Sequence, residues 1–450
     1  METNTLSAGH KNFYISLNYY KVIGFLLLAT LSITTMPFFI KAQVIYLTSA
    51  LGLLIAPFFI WKIKWTPLFQ MTFLLILFVF LHSLIALLVE VNIGGNMGIR
   101  LFAWLRQLLT FTSGVCVFFV LRKALIKLSD KFIIRSIVIG SLPALILGGL
   151  SILATVGKME GLERALVSIR KLIAPFGYQG VERASGLSLE PAHFAFYLAI
   201  VVIPICLIGL IKSKYSLIWC LFLGVTLLIF IWTFSSTGFL TLLALILGGI
   251  FFGPKRKIFV SFLIIGSFLA LIAFIVFPHN YFIRIFKILT SGGQTVTFSS
   301  RAFSVLGILL NPFSYDFVGY GLGGTSTYLS EAIPPEFQTD ILKVTWEDMP
   351  RLNSFIAQFF VENGFIGLSL FVLTIFFAIK EAKYSQIKLA EKKITDYFLK
   401  NFPAVLLAFI VGAIVGSFSS YMCPYLWFWL ALIDSRYLKE FLQNHAKKIS

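Results

Sequence analysis

The sequence predicts an all-α polytopic membrane protein of about twelve transmembrane helices, with one large extracytoplasmic loop that contains short and interfacial helices. Three observations carry that prediction. Hydrophobic residues fill 58% of the 450 positions and charged residues only 12%, more apolar surface than a water-soluble domain of this length buries. Twelve apolar stretches approach the ~20 residues that a helix needs to cross roughly 30 Å of hydrocarbon. The formal net charge of +18 is concentrated on alternate loops, the pattern of the positive-inside rule.

Taken in order, the first 21 residues are polar and no small-residue cleavage site follows the apolar stretch 22–40, so that stretch is expected to be a retained helix. Further stretches at 44–61, 68–90, 101–121 and 136–156 complete an N-terminal membrane unit, residues 1–156. Residues 157–190 form an external loop, in which Leu162, Leu166, Ile169 and Ile173 recur at helical spacing with Arg164 and Lys171 elsewhere, as in an amphipathic helix lying on the membrane surface. A second membrane unit, 191–278, holds stretches at 191–211, 216–234, 237–253 and 258–278. The loop 279–354 is too long to be a mere connection. It opens with an interfacial helix around Tyr281 to Leu289, continues through a helical stretch around Arg301 to Leu310 and a Gly/Tyr-rich turn from Tyr315 to Gly324, and ends in an acidic, proline-containing segment. Stretches at 355–379, 402–418 and 421–435, with a cytoplasmic tail, make up residues 355–450, and Lys380 to Lys400 reads as a solvated helix.

If the N-terminus is cytoplasmic, the loops carrying Lys62 and Lys64, Arg122 to Arg135, Lys212 and Lys214, Lys255 to Lys257 and Lys380 to Lys400 all fall on its side, as does the basic tail. Both termini are then cytoplasmic, and the basic excess is a topology signal, not a nucleic-acid footprint. The four cysteines lie in apolar stretches without CxxC or Cys/His spacing, so neither a disulfide scaffold nor a zinc site is expected. There is no Walker A sequence, HExxH or GxSxG, which argues against ATP-driven transport and metal-dependent hydrolysis. No cofactor is expected.

The polar residues that remain gather on the external side. Glu190 precedes Pro191 at the start of an apolar stretch, where it can cap free N–H groups; beside Arg183 and His193 it can also serve as a general base or hydroxyl anchor. Arg301 offers a planar fork suited to phosphate oxygens, or a salt bridge within its loop. Ser354, Gln358 and Glu362 recur every four residues and share a helix face, with Glu362 about 12 Å from Ser354 along the axis. A glutamate at that depth must face a bundle interior or a wet cavity, as a structural hydrogen-bonding group or as a participant in chemistry. Arg106, near an external helix end, either snorkels to headgroups or contacts a polyprenyl phosphate. The turn Ser235-Ser-Thr-Gly238 reverses the chain.

This order of features resembles the bacterial O-antigen polymerase and ligase superfamily: Arg183-Ala-Ser-Gly186 and Glu190-Pro191 before a helix, the Ser-Ser-Thr-Gly238 turn, Ser300-Arg301 in a large external loop, Gly319-x-Gly321, and then Asn353 with Glu362-x-Gly364. The resemblance implies a metal-independent glycosyltransferase of the bacterial inner membrane. Its active site would be periplasmic, and it would use glycans carried on undecaprenyl pyrophosphate. Membrane lipids, and a polysaccharide chain-length regulator in the polymerase case, would be its partners. The ligase pattern carries a His immediately before the Asn of its third motif, and Leu352 stands there in this chain, which favours polymerase over ligase. A lipid-linked oligosaccharide flippase or transporter is the alternative outside enzymes. The resemblance assigns Arg183 and Arg301 to the pyrophosphate. Glu190 is the first candidate for the base, with Arg351, Asn353, His193, Glu362 and Arg106 as substrate-binding candidates.

Overall fold

The computed structural model describes residues 18–34, 46–59, 64–92, 97–173, 178, 180–212, 216–253, 256–257, 259–261, 264, 317–325, 354–388, 394–416, 421 and 423–449. Among them there is no strand. Helix α1 covers 18–29 and tightens into a 3-10 turn at Thr30–Ser32. It is followed by α2 (Leu47–Ile55), α3 (Pro67–Asn92), α4 (Met97–Lys127), α5 (Asp130–Val156) and α6 (Glu160–Ile173). Then come α7 (Pro191–Tyr197), α8 (Ile203–Lys212), α9 (Ser216–Trp232) and α10 (Ser236–Phe252), and finally α11 (Phe355–Lys388), α12 (Ile394–Val415) and α13 (Pro424–Ile449).

The surface is inverted relative to a soluble protein. On α3, Phe73, Leu77, Phe80, Leu81, Ile85 and Leu88 face outward while Thr72, His82 and Ser83 face inward. Patches of this size are costly in water and suit hydrocarbon. Six described segments are long and apolar enough to cross a membrane: Pro67–Val89, Arg100–Lys127, Asp130–Val156, Pro191–Ile211, Phe355–Ser385 and Tyr397–Val415. The chain is a multi-pass membrane protein, helical throughout its regular described segments. The shorter apolar segments Leu47–Phe58, Ser216–Trp232 and Ser236–Phe252 fill places where full spans were expected.

At the centre lie α7, α8 and α13, whose residues Phe194 to Cys206 and Tyr425 to Ile433 are almost wholly buried. Between α7 and α8 the helix widens into a π-turn at Leu198–Val202. Pro204 explains it, since a proline has no N–H for the carbonyl four residues back and its ring crowds that oxygen. That oxygen belongs to Ile200, and the Trp429 indole N–H donates to it at 3.1 Å. Around this core, α10 packs on α12, α4 on α13 and on α2, and α3 and α12 on α11.

Several expectations change. The stretch 22–40 leaves the helix at Ile33, which is extended. Ser32 Oγ donates to the Gly140 carbonyl at 3.0 Å and Thr34 Oγ1 accepts from Leu189 N at 2.8 Å, so hydroxyls tie this segment to its neighbours. The helix that begins in the last apolar stretch continues past 435: α13 runs to Ile449, and Asp434 and Arg436 are paired inside the bundle, with Arg122 and with Asp130 (2.7 Å) respectively. The segment after 380 is not solvated on every side. Glu381 and Ser385 are buried, and Glu381 Oε1 accepts from Leu68 N at 2.8 Å, capping the start of α3. The amphipathic helix α6 forms as expected, but it rests on α5 through Leu166 and Arg170, leaving Ile169 and Leu172 exposed.

Polar groups collect at the two ends. Arg122, Asp434, Thr66, Glu381, Asp130 and Arg436 mark one end. Arg100 lies 22 residues back along α4, about 33 Å away, and Ser151 lies about 32 Å along α5 from Asp130. Arg100 and Ser151 therefore share the opposite end, where every described candidate residue lies.

Candidate functional site

The first half of the site is a helix broken from within. Gly364 adopts φ 60° and ψ −164° inside α11, a conformation open almost only to glycine. Segment 317–325 plugs the break: Phe365 N donates to Phe317 O at 3.0 Å, Tyr320 N to Val361 O at 2.9 Å and Gly321 N to Glu362 O at 2.8 Å. A Cβ on Gly364 would stand 2.4 Å from the Val318 carbonyl carbon, and one on Gly319 2.5 Å from Gly364 N. The Gly319-x-Gly321 and Glu362-x-Gly364 motifs, some forty residues apart in sequence, are thus one backbone contact.

Glu362 is fully buried and holds this plug. Its Oε1 accepts from Gly323 N (3.2 Å), Thr325 Oγ1 (3.0 Å) and Gln358 Nε2 (3.2 Å), and its Oε2 accepts from the Tyr421 hydroxyl (2.6 Å). Tyr421 in turn accepts from Asn363 Nδ2 at 2.9 Å. On the other flank, Arg100 donates to the Leu322 and Tyr320 carbonyls at 3.0 and 2.8 Å, and His82 Nε2 lies 3.2 Å from the Gly319 oxygen. The shared face of Gln358 and Glu362 is as the spacing predicts; Ser354 Oγ instead bonds the Ala413 carbonyl. With four donors on it, Glu362 organises backbone. Neither Arg100, Tyr421 nor His82 stands in a recognisable motif, so only folding discloses them.

The second half is built around Arg183. The loop after α9 carries Phe234 at φ 45°, a left-handed non-glycine residue, and leaves carbonyls pointing away from the helix. Arg183 Nε donates to Thr233 O at 2.9 Å and its NH2 to Phe234 O at 3.2 Å. Ala184 N also bonds Trp232 O at 3.0 Å, while Ser235 Oγ accepts from Gly238 N and caps α10. The Arg183-Ala-Ser-Gly186 motif is therefore bonded to residues 232–234, immediately before the Ser235-Ser-Thr-Gly238 turn. Two nitrogens of Arg183 are spent on carbonyls, a scaffold role that its assignment to pyrophosphate did not include.

Beside it, Arg170 reaches in from α6, donating through NH2 to Ser151 Oγ (2.9 Å) and to the Arg183 carbonyl (3.3 Å). Its guanidinium carbon lies 5.6 Å from the centre of the Tyr178 ring, and that of Arg183 lies 5.8 Å from the same ring. Burial lowers the Arg170 guanidinium from its ordinary range, and burial with the nearby Glu182 raises the Tyr178 phenol against the opposing pull of Arg183 and Arg170. Helical spacing from Leu162 and Leu166 reaches Arg170 as readily as Ile169, and that was the available signal for it.

Tyr178 N bonds Leu189 O at 2.9 Å, placing this cluster next to Glu190. Pro191 opens α7 as predicted, but the Glu190 side chain makes no cap bond; only its carbonyl joins the helix, and its carboxylate is exposed at the mouth. His193 is buried on the first turn of α7, and Arg106 is half-buried six residues into the span from Arg100. Arg301, Arg351 and Asn353 lie outside the described residues. Among the described residues no three His, Cys, Asp or Glu side chains gather closely enough to hold a metal ion. No protein-family model and no curated protein matches this chain.

Proposed function

We propose that the protein is an O-antigen polymerase: a glycosyltransferase of the bacterial inner membrane with about twelve spans, cytoplasmic termini and a periplasmic active site. It transfers the growing glycan from undecaprenyl pyrophosphate to the non-reducing end of a new lipid-linked repeat unit. The observation that carries this reading is the gathering of motif segments at one end of the bundle, where Gly319 abuts Gly364 and Arg183 binds the residues leading into the 235–238 turn. Two segments that resemble the family's motifs touch at Gly319 and Gly364, and a third, at Arg183, is bonded to the residues just before a fourth.

In this reading the acceptor hydroxyl attacks the anomeric carbon as the bond from that carbon to the phosphoryl oxygen breaks. Pyrophosphate leaves, stabilised by Arg183 and Arg301, and the hydroxyl proton passes to Glu190, whose exposed carboxylate can reach substrate. Because pyrophosphate is already a good leaving group, alignment and charge neutralisation supply most of the catalysis. A chain-length regulator would set when transfer stops.

The test is a deletion strain examined for lipopolysaccharide banding and complemented with wild type, Arg183→Ala, Arg301→Ala or Glu190→Gln. Deletion should leave core plus a single repeat unit, and each variant should shorten or abolish the ladder at normal protein level. Bare core in the deletion strain would identify a ligase. Normal ladders from both arginine variants would overturn the site assignment.

A further inference from the structure

Arg170 is 6% exposed, and its NH1 is buried without a hydrogen-bond partner. No carboxylate among the described residues forms an ion pair with it. Taking a guanidinium out of water without a counter-charge is costly, and a fold retains such a group where something else supplies the anion. A second guanidinium, that of Arg183, converges on the same tyrosine ring, so two like charges are held together where repulsion works against them. Tyr178 offers its ring to both cations, which compensates part of the charge and cannot saturate the N–H groups of Arg170.

The surroundings indicate where an anion would come from. Helix α6 turns Ile169 and Leu172 outward, with Met159 just before its first turn also exposed, and carries Arg170 on the face resting against α5. An amphipathic helix with exposed large apolar side chains sits in the boundary between headgroups and acyl chains. A charged group held beneath it lies at the depth of lipid phosphates.

We infer that Arg170, with Arg183 and Tyr178, forms a binding site for the phosphoryl group of a membrane-borne lipid, entered from the bilayer beneath α6. This deepens the reading given above by adding to the same mouth a cation that the sequence motifs do not contain. A polyprenyl pyrophosphate and a glycerophospholipid headgroup share the chemistry; a diphosphate uses both guanidinium groups, whereas a single phosphodiester engages one. Arg170 is a positioning and binding residue here, with no proton or bond assigned to it.

The full chain, reconstituted in phosphatidylcholine nanodiscs, is titrated with undecaprenyl pyrophosphate, with phosphatidylglycerol and with inorganic pyrophosphate, and occupancy is read by native mass spectrometry. Wild type should bind undecaprenyl pyrophosphate at least tenfold more tightly than phosphatidylglycerol, and inorganic pyrophosphate should compete. Arg170→Gln should lose at least tenfold in affinity, and Arg170→Lys, which keeps the charge and fewer donors, should lie between. Arg164→Gln, exposed one turn and a half away on the same helix, should bind as wild type. Tight phosphatidylglycerol binding that Arg170→Gln abolishes would support the phosphoryl site and name a structural lipid as its occupant. Unchanged binding of all three probes by folded Arg170→Gln or Arg170→Lys would overturn the inference and leave the polymerase reading untouched. An unaltered glycan ladder in the deletion strain would overturn the polymerase reading without affecting the binding result.

Discussion

Four donors meet on the Glu362 carboxylate, and this distinguishes two roles that spacing alone leaves open. A group whose oxygens are filled by the protein holds structure; a base keeps an oxygen for substrate. Glu362→Gln preserves the oxygen that accepts from Gly323, Thr325 and Gln358, and its amide can donate to Tyr421, whose hydroxyl both gives and accepts. The expected cost is about 1 kcal/mol, with the glycan ladder retained. Glu362→Ala strands buried donors and should cost on the order of 3 kcal/mol, with loss of folded protein. Thermal unfolding of the purified variants beside ladder assays checks both. A folded Glu362→Gln protein without a ladder would return the carboxylate to the chemistry. The sequence exposes the shared face of Gln358 and Glu362, but not Tyr421, Thr325 or Gly323, because those donors come from distant segments.

At the scale of elements, the break in α11 and the packing of α6 on α5 govern the site. Gly364→Ala must force a side chain into φ 60° and against Val318 backbone, and should destabilise by at least 2 kcal/mol. Gly161→Ala, inside α6 with open space around it, should instead leave stability unchanged or raise it by up to about 1 kcal/mol. Melting temperatures of the two variants in detergent decide this; an unperturbed Gly364→Ala protein would mean that α11 is not broken there. The Gly/Tyr-rich turn from Tyr315 to Gly324 is visible in composition. That it would plug a helix is not, since a glycine pattern specifies which backbone angles are tolerated and not what approaches.

For the whole molecule, the two polar ends lie one membrane thickness apart along α4 and along α5, with the ion pairs Arg122–Asp434 and Arg436–Asp130 at the end away from the motifs. Cytoplasmic termini are the expectation from the basic loops of the sequence. A fluorescent protein fused after Ser450, which matures only in the cytoplasm, should fluoresce, and alkaline phosphatase inserted after Gly157, active only outside, should work. The reverse pair of results would invert the topology and place Arg170, Arg183 and Glu190 in the cytoplasm.

Bulk composition and runs of apolar residues were enough to give an all-helical membrane protein, six of its spans to within a few residues at most ends, the amphipathic helix at 160–173 and the proline start of α7. These depend on local quantities: length, periodicity and the solvent each stretch can tolerate. Tertiary structure decided that α6 buries Arg170, that Arg183 binds the 233–234 turn, that Asp434 and Arg436 are ion-paired within the bundle, and that Gly319 meets Gly364. Each of those depends on a partner far away in sequence, and a buried polar group is stable only through the partner that folding brings to it.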